Sequence, residues 1–111
     1  AMDPRAQARL LEMLGGRVEF TDVDHRLKRL FELFDCRGWT AAEFGCWHGW
    51  HTTQLARRFR RVVAYDARPD NVAYTLLRLN LLGIENVSVR LADVRTVQEP
   101  CDVLVHVGVL Y

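Results

Sequence analysis

Hydrophobic positions change period along the chain, and the changes mark out its elements. Between Arg5 and Leu14, the side chains of Leu10, Leu11 and Leu14 fall on one side of a short helix that Gly15-Gly16 stops. A second helix is predicted from near Thr21, where Thr21 with Asp24 three residues on resembles a capping box. Leu27, Leu30, Phe31 and Phe34 follow at helical spacing until Gly38. These two helices are expected to pack beside a sheet as a lid or flank. From Trp39 to Phe44 the pattern becomes a short apolar run bounded by turn residues, a buried parallel strand. Trp50 to Arg61 returns to a helical period, with Leu55, Ala56 and Phe59 facing the sheet.

The alternation then repeats. Val62 to Tyr65 is a second buried strand closed by Asp66, and Pro69 opens a helix carrying Val72, Ala73, Leu76, Leu77 and Asn80 to Gly83. Val87, Val89 and Leu91 alternate with Ser88 and Arg90 as a third strand ending in Ala92-Asp93. Val94 to Pro100 is a polar connection with room for one helical turn, and Asp102 to Val107 is a fourth strand. Strands alternating with helices demand an α/β fold, a Rossmann-like, doubly wound parallel sheet with right-handed crossovers.

Composition narrows the class without naming a function. The 111 residues allow one domain, half of them are hydrophobic, and the net charge of +1 gives no global field toward nucleic acid or membrane. Apolar runs are far shorter than a bilayer span, so no membrane partner is expected. Cys36, Cys46 and Cys101 are an odd number without framework spacing, which points to reduced thiols and a cytoplasmic setting. Residues 1–4 look like a vector remnant, residues 5–38 form the N-terminal helices, and residues 39–111 form the sheet domain.

Chemistry gathers where the strands end. In an open parallel sheet, ligands bind beyond the carboxyl ends of the strands. Glu43 and Gly45 follow strand one, Asp66 strand two, Asp93 strand three, and His106 stands at strand four. Gly45 and Gly49 let the chain turn sharply into a helix start, whose N–H groups welcome an electron-rich ligand. Acids at strand ends can accept from ribose hydroxyls or an adenine amino group. Glu43 beside the bend repels a pyrophosphate and attracts a ligand carrying an amine and a sulfonium. The dinucleotide fingerprint G-x-G-x-x-G is also missing. Charge therefore favours S-adenosylmethionine over NAD.

With these residues in view, the stretch from about Thr40 to Tyr111 resembles the N-terminal, cofactor-binding half of a class I S-adenosylmethionine-dependent methyltransferase. A-A-E-F-G-C-W-H-G is similar to that family's first motif, V-V-A-Y-D-A to its second, L-A-D-V to its third and C-D-V-L-V-H-V-G-V-L-Y to its fourth. The resemblance implies strand order 3-2-1-4 and a methyltransferase whose acceptor the sequence leaves open. It implies that Glu43, Gly45 and Gly49, with Phe44, Cys46 and His48 in the same bend, line the methionine and ribose part of the cofactor. Asp66 would hold the ribose hydroxyls beside Ala67 and Arg68. Asp93 would face the adenine amino group, flanked by Ala92 and Val94, and His106 and Val107 would lie near the methionyl end. Trp47 stands where many members have a glycine, so its ring either narrows the pocket or swings outward. A complete sheet of this kind continues past its fourth strand. The chain is thus expected to be a truncated or proteolysed piece, or to cover the bare edge of D-V-L-V-H-V by pairing with a second copy as a homodimer.

Plainer readings stay open beside these. Glu43 can be a strand-end residue paired with an arginine, and Asp66 and Asp93 can be turn formers or caps. His106 can simply end a strand. Cys46, His48 and His51 have a C-x-H-x-x-H spacing, but no second ligand pair follows, and no metal is expected. No base is placed to activate Cys46 as a nucleophile. R-R-F-R-R, from Arg57 to Arg61, tempts a nucleic-acid reading, but it falls in the last turn of the crossover helix, where cations complement the dipole. Trp39 is expected in the core, and Trp47 and Trp50 at a substrate mouth. A cofactor-binding module without turnover is the second function consistent with the sequence.

Overall fold

The computed structural model describes residues 3–13 and 23–107, and every structural statement below concerns those residues. The elements run α1 (Pro4–Met13), α2 (His25–Leu33), β1 (Thr40–Phe44), α3 (Trp50–Ala56), β2 (Arg61–Asp66), α4 (Pro69–Leu82), β3 (Val87–Leu91), a 3₁₀ turn (Val94–Thr96) and β4 (Val103–Val105). The four strands form one sheet in the order β3-β2-β1-β4, all pairs parallel. Fold class and strand order are those expected. Thr21, Gly15-Gly16 and Gly108 to Tyr111 lie outside the described residues, as does everything expected of them.

Hydrophobic positions sort the sheet into two faces. On one, Leu27 of α2 and Leu55, Ala56 and Phe59 pack with Ala41, Val62 and Val105. Alternate strand residues Ala42, Val63 and Tyr65 face the other way, covered by Phe44, Ala92, Val94 and Val97. Leu104 pairs in register with Ala42 and is 52% exposed, on the free edge strand. Asp102 aligns that strand: its N–H donates to Thr40 O at 2.9 Å, and its carboxylate accepts from Thr40 N at 2.8 Å.

Several boundaries differ from expectation. Asp24 is the N-cap of α2 rather than a position in its first turn, and its carboxylate accepts from Arg26 N at 2.8 Å. That helix ends at Leu33, not Gly38, because Phe34 turns extended and lets Cys36 enter the core ahead of β1. Phe34 is consequently half exposed, its ring 5.7 Å from that of Trp39. Helix α3 ends at Ala56, not Arg61. The Asn86 amide donates to the carbonyls of Ala56 and Phe59 at 2.9 and 3.1 Å, capping the helix from across the sheet. Helix α4 matches its prediction and closes on Gly83. Its buried face is Thr75, Arg78 and Leu79, whereas Leu76 is exposed. Strand β3 lies at an edge, so the alternating burial expected of Val87, Val89 and Leu91 fades, and Leu91 ends exposed. Strand β4 is shorter than Asp102 to Val107.

Candidate functional site

The bend between β1 and α3 is tied to the neighbouring strand before it reaches the helix. Gly45 N and Cys46 N both donate to Tyr65 O, at 2.8 and 3.1 Å. Trp47 N donates to the Asp66 carboxylate at 3.1 Å, so the bend and the end of β2 form one unit. Gly49 completes the turn at φ +85 and caps α3, a conformation that glycine adopts without a Cβ penalty. Trp47 also takes a left-handed conformation, at φ +49. Its ring swings outward, 56% exposed, and stacks on His48 with centroids 4.2 Å apart. His48 in turn meets Tyr74 of α4 edge-on at 4.8 Å.

Glu43 lies beneath this bend rather than at its mouth. It is 2% exposed and accepts a hydrogen bond from the Thr52 hydroxyl of α3. Burial pushes its carboxyl up to about 7, the Thr52 hydrogen bond opposes that shift, and the nearby Asp66 charge adds to it. At neutral pH the group is divided between neutral and ionised forms. No arginine pairs with it among the described residues, where its partner is Thr52.

Asp66 is held from three sides. Oδ1 accepts from Arg68 N at 2.9 Å and Asn71 Nδ2 at 3.1 Å, while Oδ2 takes the Trp47 N–H. A carboxylate offers about four lone-pair positions, so capacity remains for a further donor. Ala67 and Arg68 are exposed in the turn that follows. Ala92 N donates to Asp66 O at 3.0 Å, which brings the end of β3 alongside. Asp93 caps the 3₁₀ turn and is engaged by Arg95, whose hydrogen bonds hold its carboxyl down at about 2.

Other expected site residues have mixed placements. Val94 packs against the Ala42, Val63 and Tyr65 cluster, and Val107 against the opposite core. Cys46 is buried, its thiol accepting from Thr75 Oγ1 at 3.5 Å, and burial pushes that thiol up to about 12, so it is no thiolate. His51 turns instead to Asp24 at 2.9 Å, and no three ligating side chains gather for a metal among the described residues. His106 meets the Phe44 ring edge-on at 5.5 Å, and Tyr65 meets the same ring at 5.6 Å. The buried Tyr65 hydroxyl and His106 Nε2, flanking Phe44, have no hydrogen-bond partner among the described residues. Trp50 does not reach a mouth: the Arg78 guanidinium lies 3.4 Å from the centre of its ring.

Three residues that the sequence reading passed over build the scaffold. Thr52 holds Glu43, Thr75 Oγ1 donates to Trp47 O at 2.9 Å, and Arg78 Nε donates to His48 O at 2.7 Å. The signal was present as polar residues on apolar stripes. Thr52 precedes Leu55, Ala56 and Phe59 at the same helical spacing, as Thr75 precedes Arg78, Leu79 and Leu82.

No protein-family model matches the sequence. No curated protein matches it either. Solved structures do. The N-terminal domain of EvdMO1, determined in the presence of SAH and D-fucose, is similar with a TM-score of 0.70 and 25% identity, over 93% of this chain and 52% of that one. A SAM-dependent methyltransferase from Aquifex aeolicus gives 0.65 and 23% identity over 96% of this chain and 57% of that one. SMU.1697c from Streptococcus mutans, a putative methyltransferase in complex with SAH, gives 0.61 and 18% identity over 77% and 52%. The match thus covers little more than half of each of these three chains, and 26% of the longer EvdMO1 chain. Its four strands in the order β3-β2-β1-β4, with a glycine bend and an acid at the end of β1, have the fold of the class I S-adenosylmethionine-dependent methyltransferases.

Proposed function

We propose that this chain is the S-adenosylmethionine-binding half of a methyltransferase. The observation that carries the reading is Glu43, an acid sealed under the glycine bend with no cation paired to it among the described residues. A cationic ligand above the bend stabilises the ionised form of that group, whereas a diphosphate does not. The chemistry of the remaining donors fits the cofactor. Asp66 has acceptor capacity left for ribose hydroxyls beside Ala67 and Arg68. Gly45, Cys46, His48 and Gly49 supply a close backbone wall, with Phe44 beneath. Ala92, Asp93 and Val94 border the adenine side, where Asp93 first has to share its carboxylate with Arg95. Tyr65 and His106 offer hydrogen-bonding atoms without a partner among the described residues toward the methionyl side, and Val107 follows His106 on the opposite core.

When bound, the cofactor supplies an electrophilic methyl group on sulfur. The protein's own part is position and orientation: the bend fixes the donor, and Phe44 with its flanking rings excludes water. The acceptor and the oligomeric state belong to the whole protein. We place it in the cytoplasm on the strength of its free thiols at Cys36, Cys46 and Cys101. A second reading is a cofactor-binding module without turnover.

Calorimetry with S-adenosylmethionine and S-adenosylhomocysteine tests the assignment. Below pH 7 the affinity for the sulfonium should rise with pH, by up to about tenfold per unit, and level off above it, because binding draws the proton off Glu43. Lack of binding by a folded sample overturns the proposal. Binding without methyl transfer selects the second reading.

A further inference from the structure

Of R-R-F-R-R, only Arg57, the C-cap of α3, sits where the helix dipole accounts for it. Helix α3 closes at Ala56, so Arg58 and Arg60 lie in the turn beyond it and Arg61 opens β2. All four arginines are exposed. Among the described residues Arg58, Arg60 and Arg61 meet no carboxylate. The Arg58 guanidinium lies over the Phe31 ring at 5.1 Å, Arg60 reaches Thr40 Oγ1 at 3.5 Å, and Arg61 reaches Ser88 Oγ at 3.0 Å. Hydroxyls and a ring leave their charge uncompensated.

Beside them opens a cavity of about 280 Å³, with Phe31, Phe34, Arg37, Arg57 and Arg58 in its wall. Phe34 is half exposed and braced by Trp39, so an aromatic face stands among the arginines. Asp35 is the acid in this wall, and Arg37 already grips it at 2.7 and 2.9 Å. Asp102 lies close by but is spent on Thr40 N. With a net charge of only +1, this concentration of cations is local, not a property of the chain. It lies at the amino ends of β1 and β2, the opposite end of the sheet from Glu43, Asp66 and Asp93.

We propose that this pole is a docking surface for single-stranded nucleic acid, with Arg58, Arg60 and Arg61 on successive phosphates and one base stacked on Phe34 in the cavity. Charge alone suits any polyanion. An exposed ring in a cavity walled by guanidinium groups adds a stacking platform, which a base fills and an acidic peptide does not. The surface is separate from the cofactor site, so the two proposals fail independently.

The test is fluorescence anisotropy of a labelled oligo-uridine of about twelve nucleotides against the 111-residue chain over a salt series. Binding should be saturable at low salt and fall with a log–log slope near about −2, since each neutralised phosphate of a single strand contributes about 0.7. Arg58→Ala and Arg60→Ala should each flatten that slope by about 0.7. Phe34→Ala should weaken binding about tenfold with the slope unchanged. Saturating S-adenosylhomocysteine should leave the curve in place. These positions are on the surface, and circular dichroism verifies that each variant folds. Absence of binding at low salt overturns the proposal. So does equal binding to polyglutamate or phosphatidylserine vesicles together with a neutral Phe34→Ala variant.

Discussion

The Thr52 hydroxyl donates to the buried carboxyl of Glu43, joining the first turn of α3 to the end of β1 under the glycine bend. Thr52 is therefore a regulator of Glu43 ionisation. Replacing it by valine keeps the shape and removes the donor that opposes the upward shift. In Thr52→Val, Glu43 should titrate at a higher pH than in the parent. Urea denaturation at pH 6, 7 and 8 should then show stability still falling between pH 7 and 8, where the parent has begun to level off. A variant with the parent's pH profile would show that the hydrogen bond is idle.

The pH dependence of the fold has a definite sign at this group. Glu43 is raised from 4.5 to about 7, so its contribution is fully present below pH 4.5 and is lost as pH rises through 7. A shift of that size corresponds to about 3 kcal/mol, an upper bound for a single group. Glu43→Gln should match the parent near pH 4.5 and exceed it in stability at pH 8. Parallel profiles for the two proteins would remove Glu43 as the cause.

Gly49 turns with a positive φ directly over α4, where a Cβ would stand 3.1 Å from Thr75 Cγ2. Gly49→Ala should cost about 1–2 kcal/mol from the backbone alone, or roughly 4–8 °C in Tm per kcal/mol for a domain of this size. Combining it with Thr75→Ser should recover the part due to the Cγ2 contact and leave the backbone part and the contacts with Thr75 Cα and Cβ. No recovery in differential scanning calorimetry would mean that the Cγ2 contact contributes nothing.

Arg78 crosses from α4 to hold the carbonyl of His48 while its guanidinium covers Trp50. Arg78→Met preserves the length and removes the donor, leaving that carbonyl without its partner. A loss of about 2 kcal/mol is expected, together with weaker cofactor binding as the bend loosens. Calorimetry that found stability reduced but affinity intact would separate the scaffold from the site.

Strand β4 is a free edge among the described residues, with Leu104 facing solvent. We expect this edge to pair between copies at high concentration. Light scattering should register association that Leu104→Lys diminishes, and a monomer at every concentration would argue against pairing.

The sequence alone determined the α/β alternation and the grouping of Glu43, Asp66 and Asp93 at strand ends, because burial period and turn residues are local properties, whereas the strand order came only from the family resemblance. It also pointed to Gly49 as the turn into α3, since a positive φ leaves little choice of residue. Tertiary structure decided the rest. Glu43 lies sealed beneath the bend with Thr52 as its partner, and Cys46 is buried against Thr75. The α3 end is capped by an amide about thirty residues later, at Asn86, so the early stop that takes Arg58, Arg60 and Arg61 out of the helix was out of reach of any local rule. Each of these is a polar side chain meeting a backbone or acid from another element. Such meetings carry no periodicity, so only the folded geometry reveals them.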